Sequence, residues 1–170
     1  FKIRNKLLKL ILVSLTAYTV THAKPSINVT ETDDEGQASW KITTPSATYY
    51  YEKNGGGFSR IIDIDGKDWI QFHNSGDTRF PFSAEADYRG LPNLVFRGED
   101  DGAGHPGFDK VTSKITGKNS IRSESKSGKW AWKWTFHPYH AHLSVEKVDT
   151  SRAYWFLYEG TIAGKFTPET

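Results

Sequence analysis

The stretch YRGLPNLVFRGEDDGAGHPGFDK, residues 88 to 110, gathers side chains that could bind or transform a polar ligand. Tyr88 offers an aromatic face, Arg89 a fork of hydrogen-bond donors and Asn93 an amide. These groups suit the hydroxyls of sugars and the carboxylates of acidic sugars. His105 is followed by a stiff proline and a permissive glycine, which would fix the direction of its imidazole ring.

The same stretch also admits a purely structural interpretation. Its glycines could satisfy awkward turns while Arg89 or Arg97 pairs with neighbouring acids, and those acids could bind calcium or only solvate a long loop. The acids are Glu99, Asp100, Asp101 and Asp109. Because long loops without regular structure are often functional, a ligand site here is an equally good hypothesis.

The predicted catalytic residues are His105, His140 and Glu159, each of which could move a proton. His140 and His142 share one face of a predicted strand and could chelate a metal if a third ligand arrived. No cysteine or helical His motif accompanies them, so solvated histidines are the favoured interpretation and neither a metal nor a cofactor is predicted. Glu159 ends a strand beside a glycine, where it is either an acid in a cleft or a rim residue.

The remainder of the chain has the two-residue periodicity of β-strands. Short runs rich in aromatic and β-branched residues alternate with turn clusters at KNGGG (53–57), DIDGKD (63–68) and KSGK (126–129). Asn, Asp, Ser and Gly in those clusters suit hairpin turns. The pattern predicts an all-β fold, an antiparallel β-sandwich of meandering strands.

The clearest hairpin spans residues 129 to 147. Alternation places aromatic rings on one face of its first strand and apolar residues of matching phase on its second. These are Trp130, Trp132, Trp134 and Phe136, then Ala141, Leu143 and Val145. A row of tryptophans can stack on sugars, but partners of matching phase favour a place in the core.

A second aromatic run, YWFLYEG at 154–160, has apolar residues on both faces and is predicted to be a central strand. Trp155 and Tyr158 of this run join Tyr88, Arg89 and Asn93 as predicted substrate-binding residues. Exposed aromatic rings beside Arg89 would favour a sugar-binding function over a structural one.

The N-terminal residues resemble a secretory signal peptide. Basic residues precede an apolar run at 10–20, which ends near Thr21 and Ala23, the small residues that signal peptidase reads. We predict a signal peptide at 1–23, a polar lead-in at 24–38 and a sandwich domain at 39–170. The protein is then secreted or periplasmic, with no stable membrane insertion after cleavage.

Composition limits the possible partners. The net charge is +2, and the signal region carries four of the basic residues, so the mature part is near neutral and nucleic acid is not expected as a partner. No cysteine is present, so stability must come from packing rather than disulfides, which is typical of exported bacterial proteins.

Several segments resemble the galactose mutarotase-like supersandwich of carbohydrate-active proteins: SATYYYEKNGGGFSRIIDIDGKDWIQF, YRGLPNLVF, HPGF, WKWTFHPYHAHLSVEKV and AYWFLYEG, over about 40–165. The resemblance implies a large antiparallel sandwich that lays sugars across one sheet, with further strands beyond the C-terminal end. The catalytic His and Glu of true mutarotases match no particular positions here, so epimerase activity is not implied.

Three functions of different kinds follow from these features. A carbohydrate-processing enzyme, such as a polysaccharide lyase or a hydrolase-associated domain, would use Arg89 on a substrate carboxylate and His105, His140 or Tyr88 on a proton. A non-catalytic sugar-binding module would use Trp155, Tyr158 and Arg89. The third is a structural or partner-binding envelope domain. We predict a carbohydrate-handling protein with a poly- or oligosaccharide partner.

Overall fold

The computed structural model describes residues 25–70, 72, 93–96 and 98–157, and these form an all-β fold. The prediction of an antiparallel β-sandwich is confirmed. The strands are β1 (Asn28–Asp34), β2 (Gln37–Thr43), β3 (Ala47–Glu52), β4 (Phe58–Asp63), β5 (Asn93–Val95), β6 (Val111–Gly117), β7 (Ser120–Ser125), β8 (Ala131–Phe136), β9 (Ala141–Lys147) and β10 (Trp155–Leu157), with a 3-10 turn at Gly98–Asp100.

Two four-stranded antiparallel meanders make the two layers. The first sheet has the order β1-β2-β3-β4 and the second the order β6-β7-β8-β9, while β5 and β10 form a separate antiparallel pair. Strands β4 and β9 therefore end their sheets, at least within the part of the chain that the structure describes. No helix in that part is long and apolar enough to cross a bilayer.

Aromatic rings from both sheets meet in the core. Phe58 of the first sheet lies edge-on to Trp134 of the second, with ring centroids 4.9 Å apart, and Tyr49 lies 5.2 Å from Phe136. Each such pair contributes roughly 0.5–1.5 kcal/mol beyond the area it buries. The tryptophans of β8 and its approach are at most 5% exposed, so the core interpretation of the tryptophan row is confirmed.

The hairpin of β8 and β9 has the predicted phase. Trp132 lies opposite Val145, Trp134 opposite Leu143, and Phe136 opposite Ala141. Inward residues of β9 are only partly covered, and Val145 is 38% exposed. This strand is thus the open side of the second sheet.

The predicted glycine turns are also found. Gly56 and Gly128 have φ values of +73° and +72°, which other residues rarely adopt. A side chain at Gly56 would also collide with the indole of Trp132, 2.8 Å from the added Cβ. The β3–β4 turn therefore requires glycine for its conformation and for its contact with the second sheet.

The polar lead-in predicted at 24–38 is wrong, because Asn28–Asp34 form strand β1, paired residue for residue with β2, and β2 itself begins at Gln37. Polar residues alternate there because β1 is an edge strand with little of its surface buried. Asp34, at the end of β1, is buried. Its carboxylate accepts a hydrogen bond from the Ser59 hydroxyl at 2.7 Å and forms an ion pair with Arg60. The fold therefore begins before residue 39.

The prediction that YWFLYEG is a strand covered on both faces is also wrong for its described residues. Tyr154, Trp155 and Phe156 are 39%, 40% and 52% exposed. The apolar residues on both faces of this strand therefore belong to an exposed aromatic surface and not to a strand that is buried on both faces. We call these three residues the β10 aromatic patch.

Candidate functional site

Four of the predicted site residues, Tyr88, Arg89, Tyr158 and Glu159, lie outside the described residues. Asn93 opens strand β5, where it pairs with Leu157 of β10. Trp155 pairs with Val95, so the backbones of Asn93 and Trp155 lie two positions apart along this strand pair. His105 and His140 lie on other elements.

The two described histidine candidates sit at opposite ends of β8. His105 belongs to loop 98–110, which docks on turn 53–57 beside Trp132, whereas His140 belongs to the turn that follows Phe136. Five residues of extended strand from Trp132 to His137 span roughly 16 Å. The two imidazoles cannot act on the same bond.

His105 has an environment that suits a structural role. Its Nδ1 donates a hydrogen bond to the carbonyl oxygen of Pro106 at 2.8 Å, and its ring lies edge-on to Phe108. Burial lowers the pKa of His105 to about 4. The imidazole is therefore neutral near pH 7, which is unfavourable for a general acid.

His140 is exposed and stacks on His137, with ring centroids 4.4 Å apart and planes 17° from parallel. The backbone N–H of His137 donates to the carbonyl of His140 at 2.8 Å, which closes the turn. Ring nitrogens direct their lone pairs in the ring plane, so near-parallel rings do not converge on one ion. Across the described ranges, no group of three His, Cys, Asp or Glu residues is arranged to hold a metal.

Among the described residues, a cleft of about 450 Å³ lies where the open edges of the two sheets face each other. We call it the edge cleft. Its lining is apolar and aromatic, and it comes from β3, β4, β8, β9 and β10. The lining residues are Tyr49, Phe58, Ile61, Trp134, Ala141, Leu143 and Phe156.

The β10 aromatic patch continues the edge cleft at the surface. Phe156 belongs to both, while Tyr154 packs edge-on against Trp130, with centroids 5.4 Å apart, and also contacts Phe96. Tyr154 thus packs against core rings on one side, while all three residues of the patch remain partly exposed. Exposed aromatic side chains of this kind are frequent at ligand and partner surfaces.

Glu52 is a buried acid that the sequence reasoning missed. It is 1% exposed at the end of β3, and it accepts the backbone N–H of Gly107 from loop 98–110. Burial raises the pKa of Glu52 to about 7. The sequence signal for Glu52 was its position just before the glycine-rich turn 53–57. Its burial could not be inferred from that signal, because its partner Gly107 lies 55 residues further along the chain.

Comparisons with protein families, curated proteins and solved structures found no match to this chain.

Proposed function

We propose that the protein is an exported, non-catalytic carbohydrate-binding module that holds its ligand at the β10 aromatic patch. The observation that carries the proposal is the exposure of Tyr154, Trp155 and Phe156 beside the edge cleft. Aromatic rings present flat apolar faces that match the C–H faces of pyranose rings, while Tyr and Trp add a polar group at the rim.

Binding is favoured over catalysis by the chemistry of the edge cleft. Its described lining contains no carboxylate, imidazole or amine, and Tyr49 is its one ionisable residue. Burial raises the pKa of Tyr49 above its ordinary value, so its hydroxyl stays protonated near neutral pH. General acid–base catalysis needs a proton donor and a proton acceptor within hydrogen-bond reach of the ligand. The described lining does not contain such a pair.

A panel of neutral and acidic oligosaccharides, screened on an array and then titrated calorimetrically, tests the proposal. Trp155→Ala and Phe156→Ala should each weaken binding by about tenfold, because each removes one stacked ring. Ile115→Ala is the matched control, since Ile115 is 45% exposed on β6 at the other edge of the second sheet. Absence of any ligand in the panel, or equal binding by all variants, would contradict the proposal.

A partner-binding envelope domain is the second candidate. The apolar lining of the edge cleft favours it, because an apolar side chain of a protein partner needs no hydrogen bonds there. In that case Phe156→Ala should weaken binding of the protein partner, and no oligosaccharide should bind the unaltered chain.

A further inference from the structure

Two glycine-rich segments of distant sequence meet at the carboxyl group of Glu52. The N–H of Gly107, in loop 98–110, and the N–H of Gly55, in turn 53–57, both donate to it. Glu52 itself is 1% exposed, so water does not replace these donors. One ionisable group thus joins the loop to the turn.

Backbone contacts hold the same two segments together around Glu52. The N–H of Gly104 donates to the Gly55 carbonyl at 2.7 Å, and the N–H of Val111 donates to the Asn54 carbonyl at 2.8 Å. The approach is close, since a Cβ added at Gly57 would lie 2.5 Å from the Gly104 carbonyl oxygen. Loop 98–110 is therefore docked on the turn without an intervening side chain.

We propose that Glu52 is a protonation-controlled clamp, whose neutral carboxyl group holds loop 98–110 on turn 53–57 and whose ionisation loosens that contact. An ionised carboxylate gains from two N–H donors, but it loses its hydration when buried. The balance decides whether the closed loop prefers the neutral or the charged acid.

The charges around Glu52 favour the neutral acid. The ionisable groups of turn 53–57 and loop 98–110, together with the chain neighbour of Glu52 in β3, are Tyr51, Lys53, Glu99, Asp100, Asp101, His105, Asp109 and Lys110. Asp109 opposes a negative charge on Glu52, and His105 is neutral near pH 7. The two lysines are engaged elsewhere, Lys53 with the Glu31 carboxylate and Lys110 with the Glu99 carbonyl.

The direction of the pH effect follows from the pKa of Glu52. Burial raises it from 4.5 to about 7, so the closed loop is favoured most below pH 4.5 and this contribution is lost as pH rises through 7. If opening exposes Glu52 to water, its two pKa values increase the open fraction by about tenfold between pH 6 and pH 8.

Amide hydrogen exchange of the full chain, corrected for intrinsic rates, measures this opening. In the unaltered protein, Glu52 should lower protection of the Gly104 and Val111 amides by about tenfold between pH 6 and pH 8, against a smaller opposite contribution from His105. Glu52→Gln keeps a carbonyl acceptor for the glycine donors but cannot ionise, so only the contribution of His105 should remain. Protection in the unaltered protein should therefore fall by about tenfold relative to that in Glu52→Gln. Glu124→Gln, at a half-buried acid paired with Arg122, should retain the full pH dependence.

The same pH dependence of protection in the unaltered protein and in Glu52→Gln would overturn the proposal. Should Glu52→Gln fail to fold, a carbon-13 NMR titration of glutamate carboxyl groups in the unaltered protein decides the question. A glutamate that titrates near pH 7 together with the Gly107 amide supports the clamp. Titration of every glutamate below pH 5 refutes it.

Discussion

Glu52 and His105 belong to the same junction and carry opposite pKa shifts. Burial raises the pKa of the acid to about 7 and lowers that of the imidazole to about 4, because each group is favoured in its neutral form. Glu52 stabilises the fold as pH falls from 7 toward 4.5. His105 destabilises it as pH falls from 6.5 toward 4, where the unfolded chain binds a proton that the folded one does not.

Replacing either Glu52 or His105 should reveal the pH dependence of unfolding that the other residue causes. Between pH 7 and pH 5 each contributes on the order of 2 kcal/mol, with opposite signs. When the pH falls from 7 to 5, the free energy of unfolding of Glu52→Gln should decrease by about 2 kcal/mol relative to that of the unaltered protein. That of His105→Gln should increase by a similar amount. Urea denaturation at both pH values measures the differences; the same pH dependence in all three proteins would contradict the assigned shifts.

At the scale of elements, the docking of loop 98–110 on turn 53–57 limits what either segment can contain. A Cβ added at Gly55 would lie 2.2 Å from the His105 carbonyl oxygen and 2.9 Å from the Pro106 Cα. Both atoms belong to the backbone, so relief requires the loop to move. The pair of glycine-rich segments therefore behaves as one packed unit.

Gly55→Ala should destabilise the protein by roughly 1–3 kcal/mol, the usual effect of overpacking a tight contact. Gly117→Ala is the matched control, because a Cβ at Gly117 meets nothing within 4 Å. Thermal denaturation compares the two variants. Equal melting temperatures would show that the loop is not docked as described.

The elements differ in how far sequence alone predicts them. The β8–β9 hairpin was predicted down to its facing residues, because Trp134 and Leu143 have matching phase on strands with one buried face. Strand β1 was missed because an edge strand buries little and can be polar. Glu52 could not be recognised, since its burial depends on Gly107, which reaches it only through the tertiary fold.

For the whole molecule, the Tyr51 hydroxyl links the two sheets. It lies 2.7 Å from the Ser123 hydroxyl and accepts the indole N–H of Trp132 at 3.2 Å, and it donates to the Gly56 carbonyl at 2.7 Å. Burial raises the pKa of Tyr51 well above its ordinary value, so this hydroxyl stays protonated. The polar link lies within an otherwise aromatic core.

Tyr51→Phe should lower the free energy of unfolding by roughly 1–3 kcal/mol, because it leaves the buried Trp132 N–H without its acceptor. Tyr50→Phe is the control, since Tyr50 faces outward between Lys41 and Arg60. Chemical denaturation measures both variants. A smaller loss for Tyr51→Phe than for Tyr50→Phe would contradict the described link between the sheets.

The central claim is that the open side of the sandwich binds carbohydrate at the β10 aromatic patch, and amide and indole NMR spectra during oligosaccharide titration test it most directly. The proposal predicts saturable shifts at the Trp155 indole and at the amides of Phe156 and Leu143, with Ile115 unchanged. Shifts confined to other surfaces, or none with any neutral or acidic oligosaccharide, would contradict it.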